Sequence, residues 1–332
     1  MTDEALAGAA AKAKKSDVVA WLSRYGTIVS LILLLIGFSA SRPDVFPTMG
    51  NVLNIMNQIS ILGIISLGLT VCLVMGLFDL SIAAMATLGG YLATYALVTY
   101  PDSINTPEAV LGSLVIAALI GIVNGILVSY AGISAFIGTL AVGSVITGAM
   151  LGISNSRTII GGIPPDFLII AQGDFWGIPN PVFVAALVAI VLWLLLEHTQ
   201  LGRNFYAIGG NAEASRLSGI AVKHYAPIAL AICAACAGLG GLMAASNLGA
   251  GRPQGVGDTY LLNAFAAAFI GASTLRPGNF HILGTVIGVL LIGVINNGLS
   301  IMGVPTYWQY FVQGVLLVVA LFSAGLLTMR RR

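Results

Sequence analysis

Stretches of roughly 20 mostly apolar residues recur along this chain with short breaks between them, and a run of that length is what a helix needs to cross a bilayer. Ten such runs can be marked, at about 23–40, 51–75, 81–100, 109–130, 134–153, 181–197, 225–246, 259–275, 282–302 and 307–328. Inside lipid each segment must satisfy its own backbone amides, so repeated runs of this kind leave a helical bundle as the expected fold. Composition agrees. Charged residues make up 8% of the chain, against the roughly 25% usual in a soluble domain. The 41 glycines supply the small residues by which membrane helices approach one another. The expected architecture is all-α, a polytopic transmembrane helical bundle of about ten spans.

Breakers mark the joints. Pro43 and Pro47 end the first run, and Pro101 and Pro107 bracket the turn after the third. The connection 154–180 carries Gly161-Gly162, Pro164-Pro165 and Gly177-Ile178-Pro179, with Asp166, Phe167, Phe175 and Trp176 among them. The first run has a second reading. Lys12, Lys14 and Lys15 precede it and Ser39-Ala40-Ser41 resembles a signal-peptide cleavage site, but its late start and the spans that follow favour an uncleaved helix.

Basic residues set the orientation. With ten spans, one side receives Lys12, Lys14, Lys15, Arg24, Arg203, Arg216, Lys223, Arg276, Arg330, Arg331 and Arg332, and the other only Arg42, Arg157 and Arg252. Both termini are therefore expected in the cytoplasm. The chain divides into a cytoplasmic tail at 1–22, a membrane domain at 23–329 with a cytoplasmic loop at 199–225, and a basic tail at 330–332.

The residues give little support to catalysis. No G-x-x-x-x-G-K-[ST] phosphate loop and no G-x-S-x-G elbow occur. His198, His224 and His281 fall at the edges of the runs, so a buried triad or metal site lacks its base or ligand. Cys72, Cys233 and Cys236 lie inside apolar runs, where the pair at i, i+3 reads as packing rather than a redox or metal pair. No cofactor is expected on this chain.

Polar groups inside apolar runs are costly in lipid and so mark a water-filled path or an interhelical bond. Asp79, in MGLFDLSIAAM, is the one acid well away from the expected loops; a broken helix capped by Asp79 or Ser81 explains it, and so does a contact with a solute. Asn57 and Gln58, Asn124, Asn263, and the Asn296-Asn297 pair are uncharged hydrogen-bonders. They suit a path for a neutral polyhydroxylated solute, and they suit helix–helix bonding equally.

The loop TQLGRNFYAIGGNAEASRLSGIAVKHY, 199–225, is the polar exception in this apolar chain. Within it Asn211 to Ser218 reads as a short helix, with Asn211 as N-cap, Glu213 in the first turn and Gly219 as the stop. Leu217 and Ile220 would give it a small apolar face. That is an ordinary surface helix or, if something covers the apolar face, a docking element.

Several segments in register carry a resemblance. LGRNFYAIGGNAEASRLSGI, FAAAFIGAST, LGTVIGVLLIGVINNGLSIMGV, MGLFDLSIAAM and SAFIGTLAVG resemble the permease subunits of ABC importers for ribose and related monosaccharides, in the same order from about residue 50 onward. The resemblance implies a multi-pass subunit of the bacterial inner membrane, paired with a second permease copy or homologue over two ATPase subunits and fed sugar by a periplasmic binding protein. ATP and Mg would then sit on the partner ATPase. The family's coupling helix would match Glu213, Ala214, Ser215, Arg216, Leu217, Ser218, Gly219 and Ile220. The translocation pathway is expected at Asn57, Asp79, Ser81, Asn124, Asn296 and Asn297. Leu275-Arg276-Pro277 departs from the flexible glycine-rich segment common in relatives. The alternative is a self-sufficient secondary transporter or channel for a small polar solute, with Asp79 as a proton or cation site.

Overall fold

The computed structural model describes residues 24–329, with side chains to 319; the tails expected at 1–22 and 330–332 lie outside the described residues. Eight helices among these are long and apolar enough to cross a membrane. They are α1 (Arg24–Ser41), α2 (Met49–Val74), α3 (Ile82–Thr99), α4 (Thr106–Ser129), α5 (Ala135–Ser154), α7 (Asn180–His198), α10 (Val222–Leu248) and α12 (Ile282–Ile301). The remaining two expected runs form α11 (Asp258–Ala272) and α13 (Thr306–Met329). α11 is only 15 residues long, about 22 Å at the helical rise and short of a bilayer core. Three short helices complete the set: α6 (Pro165–Gln172), α8 (Gln200–Gly210) and α9 (Ala212–Leu217).

The helix ends follow local chemistry. Asn105 and Glu108 form a reciprocal capping box at the start of α4, with a proline in its first turn. α2 stops where Gly76 takes φ +75°, and the chain runs irregularly to Ile82. The break expected around Asp79 is therefore present.

α10 is the hub, packing against α2, α3 and α4. Small residues permit this. A Cβ on Gly241 would overlap the Ala86 carbonyl of α3, and one on Gly89 would overlap Gly238. The backbones touch there, so the centre of the bundle is held by close van der Waals contact. Around it, α4, α5 and α7 keep apolar faces outward, including Val115, Leu119, Leu140, Val145, Leu187 and Ile190.

At one end of the bundle two short ribbons form. β1 (Ile159–Ile160) pairs antiparallel with β4 (Ala250–Gly251), and β2 (Asp174–Phe175) with β3 (Ile178–Pro179). α6 is fastened beside them: Ser246 of α10 donates to Phe167 O at 2.8 Å and accepts from Ala171 N at 3.0 Å.

Candidate functional site

A cavity of about 210 Å³ opens between α2, α10, α11 and α12. Its polar lining is Gln58, Asn247, Thr259, Tyr260, Asn263 and Asn296, none of them charged, over a wall of Ile59, Ile61, Leu62 and Gly293. Asn57 reaches this wall by donating to Asn247 Oδ1 at 3.4 Å. Asn296 Oδ1 accepts from Gln313 of α13 at 3.0 Å, and Asn263 donates to Thr259 O at 3.0 Å. Buried carbonyl oxygens are left over: neither Asn57 Oδ1 nor Asn263 Oδ1 has a partner among the described residues. Buried acceptors without a protein partner, which also occur at Asp79 Oδ2 and Asn124 Oδ1 away from this cavity, call for a hydrogen-bonding guest or water.

The other expected pathway residues lie elsewhere. Asn297 faces away from the cavity and exchanges two amide hydrogen bonds with Asn51, at 2.9 and 3.1 Å, tying α12 to α2. Asp79, Ser81 and Asn124 are buried together near the opposite end of α2. Asp79 Oδ1 accepts from Ser81 N at 2.9 Å and Ser81 Oγ at 2.6 Å, while Asn124 donates to Ser81 Oγ at 3.0 Å. Leu80 N donates to Thr139 Oγ1 of α5 at 2.9 Å, so this knot binds three helices. It does not line the cavity. Ser81 occupies the N-cap position of α3, but its hydroxyl serves Asp79 and makes no cap bond. The capping expected of this pair is thus replaced by an Asx-type turn, because the carboxylate is shielded and finds its nearest donors two residues on. The thiols of Cys72 and Cys233 stand with the Asp79 carboxylate, within 4.8 Å of one another and fully enclosed. The cysteine facing Cys233 is thus Cys72 on a neighbouring helix, a contact invisible to sequence spacing.

The polar loop is more structured than its sequence suggests. α8 buries Gly202, Phe205 and Ile208 against the bundle. Gly209 presses so close to Val74 that a Cβ would overlap its carbonyl. α8 therefore rests on the end of α2, a few residues before the Asp79 knot. α9 then projects outward. Asn211 caps it by accepting from Ala214 N at 2.9 Å. Gly219, at φ +87°, ends it in a Schellman motif, with Ile220 N bonded to Ser215 O and Gly219 N to Arg216 O. Glu213 and Arg216 pair at 2.6 Å on its exposed side, which lowers the pKa of the first and raises that of the second.

The residues expected on α9 differ in exposure. Ser215 is buried, its hydroxyl returned to Asn211 O, and Ile220 is half-buried against the core. Glu213, Ala214, Arg216, Leu217, Ser218 and Gly219 are exposed, and Leu217, at 75%, is the large apolar side chain among them.

Beside this loop Arg276 has an ionic partner. Arg276 Nη1 lies 2.7 Å from Glu197 Oε1 at the end of α7. Tyr206 of α8 donates to Phe280 O at 3.2 Å and, more loosely, to the same Glu197 oxygen at 3.4 Å. Burial, with the Glu197 charge beside it, pushes the Tyr206 phenol up to about 12. Burial also holds the His281 imidazole below its ordinary value, and Arg276 adds to this. These groups border a cleft of about 290 Å³ shared by α7, α8 and the α11–α12 turn. Glu197, Tyr206 and the neutral cavity residues Asn247, Thr259 and Tyr260 were not picked out from the sequence, since each sits singly in its segment with no local pattern around it.

Comparison with known proteins agrees with this architecture. The family described as "Branched-chain amino acid transport system / permease component" matches residues 51–321. The ribose import permease of Escherichia coli strain K12 is 33% identical over 91% of this chain and 93% of its own length. The D-allose transport system permease of the same strain is 34% identical over 94% of both chains. The ribose import permease of Bacillus subtilis strain 168 is 34% identical over 90% of this chain and 92% of its own. No solved structure matches. A helical bundle with a polar, uncharged cavity, matched along most of its length by import permeases, is a multi-pass membrane transport protein, and the chain belongs to the branched-chain amino acid transport system / permease component family.

Proposed function

We propose that this chain is the translocation subunit of an ATP-driven importer for ribose or a related monosaccharide, in the bacterial inner membrane. The observation that carries this is the cavity between α2, α10, α11 and α12. Its amides and hydroxyls offer donors and acceptors without a fixed charge, which matches a neutral polyol and disfavours an ion. The named substrates of the relatives, ribose and allose, are solutes of that kind.

The engine is a separate ATPase subunit that holds ATP and Mg and docks on α9. Its push travels from α9 through α8 to the end of α2, where Gly209 abuts Val74. A second permease copy or homologue completes the path, and a periplasmic binding protein delivers sugar. Such a push moves the access equilibrium only as far as partner binding differs between the outward and inward states.

Asp79 has another role in the competing reading, as a proton site in a self-sufficient transporter. Its enclosure and its bonds to Ser81, away from the cavity, favour a structural part instead. Proteoliposomes separate the two readings. Uptake of labelled ribose or allose is expected only with ATP, the ATPase and the binding protein present. Uptake driven by a pH gradient with this chain alone would overturn the proposal.

A further inference from the structure

The hairpin β2–β3 displays its largest side chain at its tip. Trp176 is 89% exposed and takes φ +54°, followed by Gly177 at φ +76°. Two successive left-handed residues make the tight hairpin turn that Asn-Gly or Gly-Gly usually fills. A tryptophan in the first of these positions is strained, and Asp174 holds the turn by accepting from Gly177 N at 3.0 Å. A chain that folds this way presents an indole outward at a conformational cost.

What lies next to the indole identifies its partner. Trp176 stacks on Phe175 with ring centroids 5.0 Å apart, and Phe175 meets Phe183 edge-on at 5.8 Å. Phe183 begins an exposed apolar stripe along α7 that continues through Leu187, Ile190, Val191 and Leu194. α7 is one of the membrane-crossing helices, so this stripe is the lipid-facing surface and the aromatic cluster is its continuation. At about 1.5 Å per residue, the 19 residues of α7 nearly span the hydrocarbon core. The hairpin therefore falls where the acyl chains give way to headgroups, the depth at which tryptophan is most stable.

Two further observations fit. β3 contacts α2, and Asn51 near the start of α2 bonds to Asn297 near the end of α12. The start of α13 is thus at this same end, and its first turn carries exposed Tyr307 and Trp308. No Lys or Arg occurs from 158 to 202, so nothing here calls for an anionic lipid.

We infer that the β2–β3 hairpin is a lipid anchor, seating Phe175 and Trp176 at the headgroup–acyl boundary of the leaflet opposite the α8–α9 loop. The anchor sets the depth of α7. Through α6, whose Gln172 donates to Ser246 O and Asn247 O at 3.1 and 3.3 Å, it also steadies the rim of the polar cavity. This inference does not depend on the substrate or on the ATPase.

The test uses full-length protein with Trp176 as the only tryptophan (Trp21→Phe, Trp193→Phe, Trp308→Phe), reconstituted in phosphatidylcholine. Lipids brominated near the carbonyl end of the acyl chain are expected to quench Trp176 emission by about half or more, and lipids brominated near the methyl end by much less. A Trp176→Cys variant carrying a nitroxide gives an independent measure, since Cys72, Cys233 and Cys236 are buried and take no label. Its label should sit at the same shallow depth, with oxygen exceeding a water-soluble nickel chelate as relaxant. Emission indifferent to both brominated lipids but quenched by aqueous iodide would overturn the inference. So would protection of the label only when a periplasmic binding protein is added, which would make the hairpin a protein dock.

Discussion

Arg276, in the turn between α11 and α12, places Nη1 2.7 Å from Glu197 Oε1 at the end of α7. Leu275 beside it donates its backbone N–H to Arg24 O at 3.0 Å, so this turn touches both α1 and α7. The Arg276–Glu197 pair is a strut joining the last turn before α12 to the helix that leads into the 199–225 loop. A half-exposed ion pair adds little to stability, on the order of 0.2–1 kcal/mol. Its value is positional. Glu197→Lys should cut uptake several-fold by setting two cations together, and adding Arg276→Glu should restore most of it. Transport assays on the two single variants and the swap check this; a swap no better than the single changes would remove the strut from the mechanism.

The same cluster makes a prediction in alkali. Tyr206 is held protonated by burial and by Glu197, at about 12 instead of 10.0. Its folded value is raised above the unfolded one, so its contribution to stability is complete below about pH 10 and is lost as pH climbs through about 12. Tyr206→Phe should therefore flatten the melting temperature's decline over that window, as thermal unfolding in detergent would report. Glu197→Gln should shift the phenol's ultraviolet titration towards lower pH.

For α9, exposure decides which substitutions matter. Leu217→Asp should abolish partner-driven uptake while the protein still inserts and melts normally, because the side chain is 75% exposed and touches no core. Asn211→Ala should instead cost about 1 kcal/mol of local stability through the lost cap, with docking weakened only as the helix frays. Co-purification with the ATPase, measured alongside melting, separates these outcomes. Normal ATPase binding by Leu217→Asp would show that the partner sits elsewhere.

Neighbouring asparagines should behave oppositely. Asn296 lines the cavity and Asn297 bonds α12 to Asn51 of α2. Asn296→Leu is expected to lower uptake at least several-fold with little change in melting. Asn297→Leu should keep transport but lower stability by roughly 0.6–1.7 kcal/mol, the range for interhelical hydrogen bonds in membranes. Paired transport and melting data on the two variants test the assignment, and a reversed pattern would place the path on the other side of α12.

The one-dimensional order of this chain was enough to establish a membrane bundle, because the length of an apolar run and the need to bond every amide in lipid are both local constraints. It also sufficed for the short capped helix at 211–219, since a cap, its first turn and a left-handed glycine act within a few residues of one another. The sequence motifs likewise pointed to the permease family. Only the tertiary structure decided which polar side chains share a cavity. Asn296 and Asn297 are adjacent in sequence yet turn to different neighbours, since successive helical residues point about 100° apart and each finds whatever helix packs there. It alone brought Cys72 to Cys233, Gln58 to Asn247 and Arg276 to Glu197, since each pair is set by how helices cross, and crossing depends on where glycines such as Gly89 and Gly241 let backbones meet.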